Sequence, residues 1–83
     1  MGRQHLKPEQ CRAARGLLNW RARDLASRSG VSAGTIGAFE SGARSTHPAV
    51  VRVLLEELEA GGVIFFQGDD GAPGVRLSLR AAA

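Results

Sequence analysis

Residues 21–42 of the chain read RARDLASRSGVSAGTIGAFESG, and this stretch decides the fold. In its first half, Ala22 and Leu25 recur at the spacing of one helix face, with arginines and serines between them. Gly30 can end that helix because glycine adopts the left-handed backbone conformation without a steric penalty. The pattern therefore predicts a short helix over about residues 21–29.

The second half of the stretch predicts another helix, over about residues 32–40. Ser32 stands where an N-cap is wanted, since its hydroxyl can accept a free N–H of the first turn. Ile36 and Phe39 lie one turn apart on the expected buried side, and Gly42 closes the helix. Two helices joined by a short glycine-bearing turn are typical of a helix-turn-helix, which in a basic domain indicates binding in the DNA major groove.

This pattern, LxxxxGVSxxTIxxxExG, resembles the phage-repressor and Cro-type helix-turn-helix family, also called the xenobiotic-response-element (XRE) family. The residues that carry the resemblance are Leu25, Gly30, Val31, Ser32, Thr35, Ile36, Glu40 and Gly42, with Ala14, Arg15, Leu18 and Trp20 upstream and Pro48 downstream. The likeness covers about residues 8–60. It implies a lambda-repressor-like bundle in which Arg15 and Glu40 form a buried, structural ion pair.

The flanking segments complete a mainly α fold of about four helices with a C-terminal β-hairpin. Pro8 suits the first turn of a helix over about 8–18, and an apolar stripe at i, i+3, i+4 and i+7 predicts another over 48–60. Beyond them, two β-prone runs flank the turn sequence QGDDGAPG. We therefore divide the chain into a helix-turn-helix DNA-binding domain, 1–62, and a hairpin extension, 63–80, for dimerisation or packing.

Composition narrows the class of protein. The 83 residues carry a net charge of +3, but Met1 to Gly30 hold seven Lys or Arg and two acids, a balance of +5. A basic half that coincides with the helix-turn-helix suits a phosphate-binding face, although a merely solvated basic surface fits the charge count as well. Cys11 is the single cysteine, so no internal disulfide forms. With no apolar run long enough to span a bilayer, we expect a cytoplasmic protein without membrane contact.

An enzyme is not expected. His5 and His47 are the two histidines, and neither is accompanied by a nucleophile, a metal-ligand cluster or a nucleotide-binding loop. We therefore expect no catalytic residue, no metal and no cofactor, and double-stranded DNA as the partner.

The predicted DNA contacts fall into three groups. Ser32 and Thr35 are the polar groups nearest the groove, and Arg44 follows the recognition helix where a DNA backbone would pass. Arg21 and Arg23, at the front of the preceding helix, are phosphate candidates. The remaining groove-facing positions are Ala33, Gly34, Gly37 and Ala38.

These groove-facing positions depart from the resembled family, whose members often carry Gln, Arg, Lys or Asn there. A glutamine common at the start of the preceding helix is also replaced, by Ala22. Two interpretations stay open. Small residues let the helix sit deep, with methyl contacts and DNA shape giving selectivity, or the domain is a protein-interaction adapter or antitoxin-like module. Under the interpretation with direct DNA binding, the protein is a repressor-like, sequence-specific transcriptional regulator.

One helix-turn-helix presents too little surface for tight, specific binding, so we expect a homodimer. The predicted dimer interface combines the fourth helix with the hairpin. Its residues are those that exceed the apparent needs of so small a core: Val50, Val53, Val63, Phe65 and Leu77.

Overall fold

The computed structural model describes residues 5–43 and 45–78. Within them lie four α-helices followed by two β-strands, so the predicted fold class, a mainly α bundle with a C-terminal hairpin, is confirmed. The elements are α1 (Pro8–Leu18), α2 (Ala22–Ser29), α3 (Ala33–Ser41), α4 (Pro48–Ala60), β1 (Val63–Gln67) and β2 (Pro73–Leu77). No helix in this part of the chain is both long enough and apolar enough to cross a membrane.

Capping residues set the helix boundaries, and two predicted starts move by one residue as a result. Arg21 is extended and precedes α2, and its backbone N–H donates to the Asp24 carboxylate at 2.8 Å. Ser32 is extended and precedes α3, and its hydroxyl accepts the Thr35 N–H at 3.1 Å. Gly42, with a φ of 72°, is the C-cap of α3, whose last helical residue is Ser41, one position beyond the predicted end at Glu40.

The core lies between the four helices, and the inner face of the hairpin packs on it against α1 and α4. Its largest fully buried side chains are Leu25, Ile36, Leu54, Leu58 and Cys11. Each helix contributes at least one of them. Packing of these apolar faces stabilises helices that are too short to be stable through intrinsic helix propensity alone.

The hairpin belongs to the same core. Its strands are antiparallel, with Phe65 opposite Val75. The buried Gln10 side chain of α1 donates to the Gly74 carbonyl at 3.1 Å. Phe66 covers Gly74 across the strands, and a Cβ at that glycine would lie 2.6 Å from the ring. These contacts hold in place a two-stranded sheet that would be marginal alone in water.

Candidate nucleic-acid interface

The turn between α2 and α3 is fixed by its own backbone and side chains. Gly30 has a φ of 79°, and its N–H donates to the Ala26 carbonyl at 2.9 Å. The Val31 N–H then donates to the Ser29 hydroxyl at 3.1 Å. Val31 is half-buried against the core. Together these contacts set the direction in which α3 leaves the turn.

The short helix α3 has one buried face and one open face. Ile36, Phe39 and Glu40 are buried. Since successive residues turn by roughly 100° around a helix axis, Gly34 lies roughly opposite the middle of that buried face. The open face carries the predicted groove-facing residues: Ala33, Gly34, Thr35 and Gly37 are exposed, and Ala38 is half-buried. No side chain on this face is larger than threonine.

An ion pair anchors the far end of α3 to α1. The Arg15 guanidinium donates to both carboxylate oxygens of Glu40, at 2.8 Å and 2.7 Å, and to the Trp20 carbonyl at 3.1 Å. Arg12 donates to the Glu40 backbone carbonyl at the C-terminus of α3. The side chains of Arg15 and Glu40 are 19% and 8% exposed, so the structure brings together the two residues named for a buried pair.

The surroundings of this pair shift the pKa values of its members. Burial alone would raise the pKa of Glu40, but hydrogen bonds from Arg15 and from the Cys11 thiol outweigh it and hold that pKa below its usual value. The pKa of Arg15 is raised, chiefly by its hydrogen bond to Glu40. Burial, followed by the neighbouring Glu40 carboxylate, raises the pKa of Cys11. The thiol is therefore protonated and the ion pair fully charged at neutral pH.

A cleft of about 530 Å³ runs beside the open face of α3. One wall is α3 with its N-cap, and the other is the loop before α4 together with the first turn of that helix. The lining residues are Ser32, Gly34, Thr35, Ala38, Ser45, Thr46, His47 and Val50. The cleft thus places hydroxyl groups and an imidazole next to the predicted recognition surface.

Three loop residues of this cleft are not among the DNA contacts predicted from the sequence. They are Ser45, Thr46 and His47, which lie in the polar loop between α3 and α4. Their position next to the predicted recognition helix is the sequence feature that could have indicated a role in DNA binding. His47 also caps α4, because its Nδ1 accepts the Ala49 N–H at 3.0 Å. Its other ring nitrogen can therefore carry the hydrogen and donate.

Ser32 and Thr35 form a coupled pair at the start of α3. The Ser32 hydroxyl accepts the Thr35 N–H and donates to the Thr35 hydroxyl at 2.9 Å. Thr35 thereby keeps its own hydroxyl hydrogen for a donor role. Both residues are exposed, so one hydroxyl donor and one methyl group stand at the edge of the open face.

The arginines named as phosphate candidates differ in their surroundings. Arg21 and Arg23 are exposed at the front of α2. Arg21 lies 3.6 Å from Asp24, whose pKa is lowered, first by the hydrogen bond from the Arg21 backbone. Arg28 stacks 4.2 Å above the Trp20 ring. Arg44 lies outside the described residues, so its contact with DNA stays a prediction.

Two of the five residues predicted for the dimer interface belong to the protein core instead. Val63 and Phe65 are 3% and 6% exposed because the hairpin packs its inner face on the helices, so neither is surplus to the core. Val53 and Leu77 are 38% and 43% exposed, and Val50 is half-buried. Only these last three have apolar area to offer a partner, and the interface itself stays a prediction.

Comparison with known proteins agrees with this geometry. A family model described as helix-turn-helix matches residues 12–60, more than half of the chain. The matched segment includes α2, the turn, α3 and both members of the ion pair. None of the curated proteins compared with the chain matches it significantly. The resemblance expected from the sequence is thus confirmed at the level of the family, and the chain belongs to the XRE-type helix-turn-helix family of DNA-binding regulators.

Proposed function

We propose that the protein is a sequence-specific, repressor-like transcriptional regulator that binds double-stranded DNA as a homodimer in the cytoplasm, with α3 in the major groove. The observation that carries the proposal is the open face of α3, which lies opposite the core and beside the hydroxyl-lined cleft. An α-helix with side chains is about 10–12 Å across, and the major groove is about 12 Å wide. A helix with small outer side chains fits that groove with room to spare.

Readout in this proposal relies on methyl groups and DNA shape. The open face of α3 carries no Arg, Lys, Asn or Gln, the residues that form bidentate pairs with guanine or adenine. It offers the methyls of Ala33, Thr35 and Ala38, which can contact thymine methyls, and hydroxyl groups that bond to several bases. We therefore expect an operator rich in A·T pairs, whose groove shape and deformability add selectivity.

Replacement of thymine by uracil tests this readout. Uracil lacks the C5 methyl group and otherwise pairs identically, so a substituted operator should bind more weakly. We expect a loss of several-fold when the methyls facing α3 are removed. Equal affinity for the two duplexes would exclude methyl contacts.

Phosphate contacts supply the sequence-independent part of the affinity. Arg21 and Arg23 are exposed at the N-terminal end of α2, where free N–H groups also favour an anion. The loop hydroxyls of Ser45 and Thr46 can position the backbone on the other side of α3. Arg44, from its place in the sequence, is a further phosphate candidate.

A salt titration tests these contacts and DNA binding as a whole. We expect affinity to fall steeply with salt, and Arg23→Ala to weaken binding to all duplexes and to reduce the slope of log K against log[salt] by about one. Arg52→Ala is the matched control, because Arg52 is exposed on α4 and pairs with Glu56 at 3.0 Å. Wild-type protein that binds no genomic fragment at low salt would refute the proposed function.

The homodimer is proposed from geometry. Two copies related by a twofold axis can read half-sites about one helical turn apart, which one copy cannot. Of the five residues predicted for this interface, Val53 on α4 and Leu77 on β2 have exposed apolar side chains, and Val50 on α4 is half-buried.

Light scattering on two variants tests this surface. Because Leu77 is 43% exposed, Leu77→Glu should leave the fold intact and yield a monomer. Leu17 on α1 is 39% exposed, so Leu17→Glu is a control of similar exposure outside the proposed surface. A wild-type chain that is monomeric at micromolar concentration would contradict the dimer.

A protein-interaction role is the second candidate, and the absence of base-reading side chains on α3 favours it. In that case the open face of α3 contacts a protein partner as an adapter or antitoxin-like module. Binding that is weak, equal for all duplexes and lost at physiological salt would favour this candidate over sequence-specific regulation.

A further inference from the structure

A second cavity, of about 500 Å³, is formed by the segment before α1, the end of α3 and the first half of α4. Most of its lining is apolar and comes from Leu6, Phe39, Pro48, Ala49, Val51 and Leu55. Three of these side chains, those of Leu6, Phe39 and Leu55, also belong to the buried core, so the floor of the cavity is fixed by packing. Cavities of about 300–1,000 Å³ with mostly apolar walls are typical of sites for small molecules.

The polar side chains that line this cavity favour an anion. They are His5, Thr46 and Arg52, and no carboxylate is among the described lining residues. Arg52 donates to Glu56 through its Nε, at 3.0 Å, whereas its two terminal amino groups donate to no described atom. A guanidinium is permanently charged and can give two parallel hydrogen bonds to one carboxylate. The charge at the rim and the apolar floor therefore complement a molecule with an apolar body and one carboxylate.

The cavity adjoins the cleft beside α3. Thr46 lines both of them. The first turn of α4 also separates the two, since Ala49 lines the cavity and Val50 lines the cleft. A ligand in the cavity thus lies one side chain away from the loop that we propose to position the DNA backbone. A negative charge at that point repels the phosphates of the bound duplex.

We propose that this cavity binds a small aromatic carboxylic acid and that its binding weakens the affinity of the protein for DNA. The ring of the acid packs on Phe39 and the apolar side chains around it, because aromatic pairs are favourable beyond the area they bury. The carboxylate accepts hydrogen bonds from the terminal amino groups of Arg52 and from the Thr46 hydroxyl. The binding site belongs to the protomer itself, whereas the effect on DNA rests on the proposed function and gives it a regulator.

A titration of the full chain with 2-naphthoate tests the site. Amide shifts of the 15N-labelled protein report where the acid binds, and we expect the largest at Leu6, Thr46, Ala49 and Arg52. For a ligand of this size and an open site we expect a Kd of about 0.1–1 mM. The neutral amide of the same shape, 2-naphthamide, should bind about fivefold more weakly, because the charge of the carboxylate is lost.

Three variants locate the contacts. Ala49 is exposed and lines the cavity, so Ala49→Phe should fill it, keep the melting temperature within a few degrees and abolish binding. Arg52→Gln should bind 2-naphthoate about fivefold more weakly and should no longer distinguish the acid from the amide. Arg76→Gln is the matched control, because Arg76 is exposed on β2 and does not line the cavity; it should bind within about twofold of wild type.

The effect on DNA is measured with the duplex that the wild-type protein enriches from a random pool. Saturating 2-naphthoate should raise the Kd for this duplex about fivefold or more, and by linkage the duplex should weaken binding of the acid by the same factor. The reference sample contains the same concentration of sodium chloride, since ionic strength alone weakens DNA binding. In Ala49→Phe the acid should leave the Kd for the duplex unchanged.

The outcomes separate the site from its effect and from the function beneath it. Absence of 2-naphthoate binding, or equal Kd values for the acid and the amide, would overturn the site. Binding of the acid with an unchanged Kd for the duplex would overturn the regulation and leave the proposed function standing. A wild-type protein that enriches no duplex would overturn the proposed function, while the titration would still decide the site.

Discussion

Replacement of Glu40 by glutamine tests how much the buried ion pair stabilises the fold. The substitution keeps the shape of the side chain but removes its charge. Arg15, whose side chain is 19% exposed, is then left without its anionic partner. One of the two hydrogen bonds also becomes a contact between two N–H donors, because the amide nitrogen replaces a carboxylate oxygen.

The structure gives the magnitude of this loss. Removal of one partner from a buried pair costs about 3–5 kcal/mol, and the residual exposure of Arg15 places the expected value near 3 kcal/mol. A chain of 83 residues has a free energy of unfolding of roughly 4–12 kcal/mol. Glu40→Gln should therefore lower the melting temperature by on the order of 10–20 °C.

An exposed pair in the same molecule is the control. Arg52 and Glu56 lie 3.0 Å apart, close to the distance in the buried pair, but their side chains are 63% and 59% exposed. Glu56→Gln should cost less than about 0.5 kcal/mol because water screens the charges. Urea denaturation at pH 7, followed by circular dichroism, measures both values. Equal losses for the two variants would refute the claim that burial makes the Arg15–Glu40 pair strong.

Three further predictions concern the same core. The pKa of Glu40 is lower in the folded state than in the unfolded state, where it is about 4.3. The carboxylate therefore stabilises the fold above that unfolded-state pKa, and this stabilisation is lost as the pH falls through the folded-state pKa. The difference in stability between wild type and Glu40→Gln should accordingly shrink below about pH 4.3. Cys11 is fully buried with a raised pKa, so alkylation at pH 8 should proceed orders of magnitude more slowly in the native state than in urea. Gly61→Ala should lower stability by about 1–3 kcal/mol and perturb Trp20 fluorescence, because the new Cβ would lie 2.8 Å from that ring; unchanged stability would show that the site relaxes.

Local sequence signals predicted the elements of this fold well. Helix periodicity, Pro8 and Pro48 at helix starts, and the hydroxyl of Ser32 are all properties of a few neighbouring residues, and each acts where the sequence places it. The Arg15–Glu40 contact is different. It joins residues 25 positions apart, and only the family resemblance indicated it before the structure located both side chains.

The features that the sequence did not predict depend on packing between distant segments. Val63 and Phe65 looked like surplus apolar residues, because nothing local shows that the hairpin lies against the helices. His47 lines the cleft beside α3 because the loop before α4 passes along that helix, and local sequence does not reveal the course of this loop. The sequence also left open whether packing requires Gly34, and only coordinates show that no described atom lies near its missing side chain.

The central claim is that the open face of α3 reads DNA, and a nuclear magnetic resonance titration tests it most directly. Amide shifts of the 15N-labelled protein are followed while the duplex enriched by the wild-type protein is added. We predict the largest shifts at Ser32 to Ala38, smaller ones at Arg21, Arg23 and the loop residues Ser45 and Thr46, and little change in the hairpin beyond any effect of dimerisation. Shifts concentrated on α4 or the hairpin, with α3 unaffected, would contradict the account.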